Sequence, residues 1–131
     1  KMKYLSDYTE EPMGEMLKKN GAFFAFGDKQ FLEKRAEGVK YVSMSMGLIA
    51  PKENARHIWD ETERIHKEGV KQDIKEHSKK KIIFRECENY EIQFGDTQPV
   101  YDSLEEYPIT RKEIDEGIQR FIKYCIKNDL Y

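Results

Sequence analysis

Between Pro51 and His77, Ala55, Ile58, Trp59, Thr62, Ile65, Val70 and Ile74 recur at helical spacing. One long amphipathic helix is the expectation, and the remaining elements must be arranged to cover its apolar stripe. Pro51 suits the opening turn, where a missing backbone donor costs nothing. Gly69 is expected to bend or interrupt the helix, at about 1 kcal/mol relative to alanine.

Two segments read as strands. Ala22–Phe26 is a continuous apolar run between glycines, as expected of a strand buried on both faces. From Val39 to Leu48 the pattern alternates, with Val42, Met44, Met46 and Leu48 on one face and Tyr41, Ser43, Ser45 and Gly47 on the other. Short helices are expected from Pro12 to Asn20-Gly21, and from Asp28, as a cap, to Gly38. Ile82–Tyr90 fits a helix better than a strand, and Gly95–Pro99 reads as a loop leading into a short helix with Val100, Tyr101 and Leu104.

The clearest amphipathic helix comes last. Thr110-Arg111-Lys112-Glu113 is a capping box, followed by Ile114, Ile118, Phe121, Ile122, Cys125 and Ile126 on one face. The fold class implied is α+β, with a small β-sheet packed against the long central helix and the C-terminal helix. A length of 131 residues predicts a single domain, 1–131.

No run approaches the roughly 18 apolar residues needed to span a bilayer, and Lys1-Met2-Lys3-Tyr4 does not lead into a signal-peptide core. A cytoplasmic location and no membrane partner are therefore expected. Cys87 and Cys125 have no C-x-x-C spacing and sit in apolar-periodic stretches, as expected of buried free thiols.

Net charge is only −2, but it is unevenly spread. From Arg64 to Lys81 seven basic residues face three acids, a net of +4; from Glu86 to Glu116 ten acids face Arg111 and Lys112, a net of −8. The acidic half is suited to docking on a basic surface of another protein. Lys67, Lys71, Lys75 and Lys79–Lys81 could follow a phosphate backbone, but no stacking aromatics accompany them, and a solvated face is the simpler reading.

No cofactor is expected, because neither G-x-G-x-x-G nor G-x-x-x-x-G-K is present. No metal is expected either: H-E-x-x-H is absent, and Glu53, His57 and Glu61 at i, i+4, i+8 read as an ordinary polar helix face. The densest polar constellation is Arg85, Glu86, Asn89, Glu91 and Asp96, interleaved with Phe84, Cys87, Tyr90 and Phe94. These five are the candidate binding residues. As an enzyme, the same set would use Glu86 or Glu91 as an acid–base carboxylate oriented by Asn89 and Arg85. As structure, Asn89 or Asp96 would cap a turn and Arg85 would pair locally with a carboxylate.

Gly21–Phe26 with Gln30-Phe31, Gly47-Leu48 with Pro51, and Arg85-Glu86, Asn89, Glu91 and Gly95-Asp96 together resemble a family of small uncharacterised proteins of phages, prophages and bacterial mobile elements. The resemblance runs from about Gly21 to the last helix and implies a mobile-element context without a mechanism. Members tend to carry Asn-His-Glu where this chain has Asn89-Tyr90-Glu91. A tyrosine of unperturbed pKa about 10 cannot replace a histidine base at neutral pH. The expected function is thus a non-catalytic accessory protein that binds another macromolecule, a protein first, through a charged surface. An acid–base enzyme around Glu86, Asn89 and Glu91, and nucleic-acid binding through Lys67–Lys81, are the alternatives.

Overall fold

The computed structural model describes residues 2–131. Among the described residues six α-helices and three strands are formed: α1 (Leu5–Lys19), β1 (Phe23–Phe24), α2 (Asp28–Lys34), β2 (Tyr41–Ser45), β3 (Leu48–Pro51), α3 (Ala55–Glu76), α4 (Lys79–Asn89), α5 (Gln98–Ser103) and α6 (Arg111–Lys127). This is the α+β class expected from the periodicities. The chain divides into two compact units, Leu5–Gly69, and Val70–Tyr131 with the described residues up to Tyr4. The helix α3 runs unbroken through the division at Gly69.

In the Leu5–Gly69 unit the strands form an antiparallel sheet in the order β1-β3-β2. Its core joins Met16 of α1, Ala50 of β3 and Ile58 and Ile65 of α3, with Met13, Leu17, Ala22 and Met44 packed against them. The long alternating segment is not one strand. Met46 (φ 46°) and Gly47 (φ 83°) both adopt positive φ and form a two-residue hairpin turn, so β2 ends at Ser45 and Leu48 starts β3. Two successive positive φ values match the twist of the flanking strands, and a period-two hydrophobic pattern does not register them. A register shift between Ser43 and Ser45 adds a bulge.

Four further expectations change. The run Ala22–Phe26 yields only Phe23–Phe24 as an edge strand, with Phe24 46% and Phe26 71% exposed. The helix α1 starts at Leu5 and carries Pro12 in its middle, because Met13, Met16 and Leu17 bury enough apolar surface to offset a proline penalty of about 3 kcal/mol. Gly69 does not interrupt α3. A Cβ there would meet Thr9 Cγ2 at 2.6 Å and Leu5 Cδ1 at 3.2 Å, so the glycine lets α1 approach α3 closely. Trp59, expected within the buried stripe, is 59% exposed.

In the second unit α4, α5 and α6 pack on one another. Ser78 caps α4 by accepting from the Lys81 N–H at 3.2 Å, and the capping box at Thr110 and Glu113 starts α6 as the motif foretold. Ile82, Ile83, Cys87, Val100, Leu104, Ile114, Ile118, Phe121 and Cys125 are among its buried side chains. Phe84 meets Phe121 and Tyr124 edge-on, with centroids 5.0 and 5.1 Å apart. Among the described residues no helix is long and apolar enough to cross a membrane.

Candidate functional site

The last turn of α3 carries Asp73, His77 follows directly after the helix and four residues on, the second half of α4 supplies Arg85 and Glu86, and the chain after α5 supplies Tyr107. These five side chains form a polar network inside the second unit. Asp73 is fully buried, and Arg85 and Glu86 are only 3% and 7% exposed. Arg85 grips Asp73 in a fork, Nη1 to Oδ1 and Nη2 to Oδ2, both at 2.9 Å. Its Nε donates to Glu86 Oε2 at 2.7 Å, and Nη1 also donates to the Lys3 carbonyl at 3.0 Å. The guanidinium carbon lies 5.6 Å from the centre of the Tyr4 ring.

Asp73 accepts at both oxygens from more than arginine. The Tyr107 hydroxyl donates to Oδ2 at 2.6 Å, and His77 Nδ1 lies 3.0 Å from Oδ1. Burial on its own would raise the Asp73 pKa, but the hydrogen bonds from Arg85, Tyr107 and His77 overcome it and hold the carboxyl below its usual range. Burial works against the charged form of Arg85 too, and its bonds to Asp73 and Glu86 outweigh that and raise its pKa. For Tyr107, burial and then the bond to Asp73 both push the phenol upward. Such a site stays ionised and closed. An acid–base carboxylate needs a pKa drawn toward neutrality and a free lone pair, and Asp73 has neither.

The thiols are equally withdrawn. Cys87 and Cys125 are free and fully buried, and Cys87 is pushed up to about 12 by burial first and by the Glu86 charge second. Neither is poised as a nucleophile at neutral pH. Among the described residues no three of His, Cys, Asp and Glu are grouped to hold a metal ion. Beside Arg85 is a cavity of about 210 Å³ lined by Met2, Tyr4, Lys81, Phe84, Arg85 and Glu88.

Of the five residues singled out in the sequence, the structure brings only Arg85 and Glu86 together. Asn89, Glu91 and Asp96 are exposed, at the end of α4 and along the connection to α5. Asp96 accepts from the Gln98 N–H at 3.0 Å and so caps the turn before α5. Glu91 holds the left-handed conformation, φ 46° and ψ 50°, which costs a non-glycine residue roughly 1–2 kcal/mol. It stands between Tyr90, 42% exposed, and a short 3-10 helix (Ile92–Phe94) whose Phe94 is 64% exposed. The connection is thus an outward knuckle of two aromatic side chains among carboxylates.

Asp73, His77 and Tyr107 were not foreseen. One signal was present: Asp73 and His77 continue the α3 stripe of Ile65, Val70 and Ile74, so a charged residue occupies a core position of the helical period. Lys67, Lys71, Lys75 and Lys79–Lys81 are all exposed, and Lys79 pairs with Glu113 at 3.4 Å.

No curated protein and no solved structure matches the chain. Its sequence does match the family of unknown function DUF7659 over residues 5–124, and the chain belongs to that family.

Proposed function

We propose that this is a small non-catalytic accessory protein, of the kind carried by phages and mobile elements, that works in the cytoplasm by binding another protein through a charged surface. The observation that carries the reading is the knuckle from Tyr90 to Asp96. Exposed Tyr90 and Phe94 flank Glu91, which is held in a costly left-handed conformation, and Asn89 and Asp96 complete the surface. Aromatic anchors rimmed by charge are the composition of a protein-binding hot spot. The carboxylates call for a partner that is basic around an apolar centre.

Burial of Glu86 leaves nine acids against Arg111 and Lys112 between Glu88 and Glu116, which favours the same polarity of partner. The acid–base alternative at Glu86, Asn89 and Glu91 is less well supported, since Glu86 is bound to Arg85 inside while the other two face solvent.

The test is affinity capture from bacterial lysate with the wild-type chain and with a Tyr90→Ala, Glu91→Lys, Phe94→Ala variant. A protein retained by the wild type at low salt, weakened at moderate salt and lost with the variant is the expected result. Equal retention by both chains, or none, would overturn the proposal.

A further inference from the structure

In the Leu5–Gly69 unit, β1 is an edge strand, and its backbone groups alternate in direction. Ala25 N–H points inward and donates to the Gly47 carbonyl at 2.9 Å. Phe24 and Phe26, one residue to either side, therefore direct their groups outward. An open edge of this kind is a template for another strand.

One outward group of each residue is occupied by a side chain of α2. Lys34 Nζ donates to the Phe24 carbonyl at 2.6 Å, and Phe26 N–H donates to Gln30 Oε1 at 2.8 Å. The fit is geometric. Gln30 and Lys34 are four apart and share one face of a helix, while the groups they reach lie two residues apart along a strand, and both intervals are close to 6 Å. One side chain supplies an acceptor and the other a donor, which is the pair that an added strand would present.

The element carrying them is lightly held. No residue of α2 is buried. Its anchor is Phe31, tilted against Phe23 at 6.3 Å and edge-on to Tyr41 at 5.7 Å, and the following chain is tied by Ala36 N–H donating to Tyr41 Oη at 2.8 Å. Segments with so little burial open at a small fraction of the global unfolding free energy. Exposed apolar side chains on and beside β1 make such an edge adhesive: Phe24 and Phe26 are stacked 6.5 Å apart, and Met46 is 90% exposed.

We infer that α2 is a removable plug on β1, and that Gln30 and Lys34 keep the chain from pairing edge to edge with a second copy of itself. The contact is autoinhibitory: release of α2 exposes the Phe24 carbonyl and the Phe26 N–H together, and β1 of another copy completes the sheet.

Sedimentation across a concentration series of the full chain tests this. A Gln30→Ala, Lys34→Ala variant is expected to show at least a doubling of mass with rising concentration relative to wild type. Adding Phe24→Lys, a charge on the edge, is expected to reverse it. Gln30→Glu with Lys34→Arg, which still accepts and still donates, is expected to keep the wild-type mass. Because Gln30 and Lys34 are exposed, far-UV circular dichroism should be unchanged. An unchanged mass in the double alanine variant, self-association that Phe24→Lys leaves intact, or self-association of the Glu/Arg variant would each overturn the inference.

Discussion

Asp73 and Arg85 meet as a two-pronged ion pair, both N···O distances 2.9 Å, with Asp73 fully buried and Arg85 3% exposed. Arginine alone among the cations matches a carboxylate at two points, and only the full set of partners makes burial of the charges tolerable. The pair joins the end of α3 to α4 and, through the Lys3 carbonyl, ties the first described residues to the same unit.

Removing one partner strands the other. Arg85→Ala is expected to lower the unfolding free energy by about 3–5 kcal/mol, since Asp73 and Glu86 would then share a buried site without a cation. Arg85→Lys should recover only part of this, because an ammonium cannot span both Asp73 oxygens and Glu86. Urea denaturation of the three chains measures it.

The pH profile follows from the directions of the shifts. A carboxyl held below its unfolded value adds stability at any pH above about 3.9, and that stability drains as pH falls through the unfolded value toward the folded one. Asp73 should therefore steepen the acid limb below about pH 4, and Asp73→Asn should flatten it. Tyr107 shifts the other way, so its contribution is whole below about pH 10 and is lost as pH rises toward its folded value. Tyr107→Phe is expected to cost about 1.5–3 kcal/mol at neutral pH and to flatten the alkaline limb. Denaturant midpoints across pH check both limbs.

Gly117 sets how closely α6 approaches α4. A Cβ there would lie 2.3 Å from Ile83 Cγ2 and 3.1 Å from Ile83 Cβ, both buried. Gly117→Ala should destabilise by about 1–3 kcal/mol despite a helix-propensity gain of about 1 kcal/mol. Combined with Ile83→Ala, the loss should be smaller than the sum of the single losses, as a thermodynamic cycle would read.

Met46 is the first residue of the hairpin turn, 90% exposed and at φ 46°. Asparagine tolerates that conformation and leads Gly in the favoured turn pair. Met46→Asn should raise the unfolding free energy by about 1 kcal/mol, visible as a higher thermal midpoint with unchanged secondary structure.

Helices were legible where burial followed the 3.6-residue period: α4, α5 and α6 formed where the pattern placed them, Thr110 and Glu113 marked the start of α6, and α3 formed from Ala55 although Pro51, expected to open it, ends β3 instead. The sheet was less so. Met46-Gly47 lacks the Asn or Asp that announces a hairpin, and its apolar methionine sustains the alternation straight through the turn. Pro12 misplaced the start of α1, because a penalty for one residue says nothing about the tertiary packing that offsets it.

Local periodicity and capping chemistry act over a few residues, and to that extent the sequence by itself determined the α+β class, the helices and the burial of both thiols. The polar network depended on longer-range contacts. Asp73 meets Arg85 twelve residues on and Tyr107 thirty-four residues on, and only folding brings those groups within hydrogen-bond distance. Tertiary structure therefore decided which charges of the Arg85–Asp96 constellation went inside and which stayed at the surface, because a charge is buried only where partners from elsewhere in the chain arrive with it.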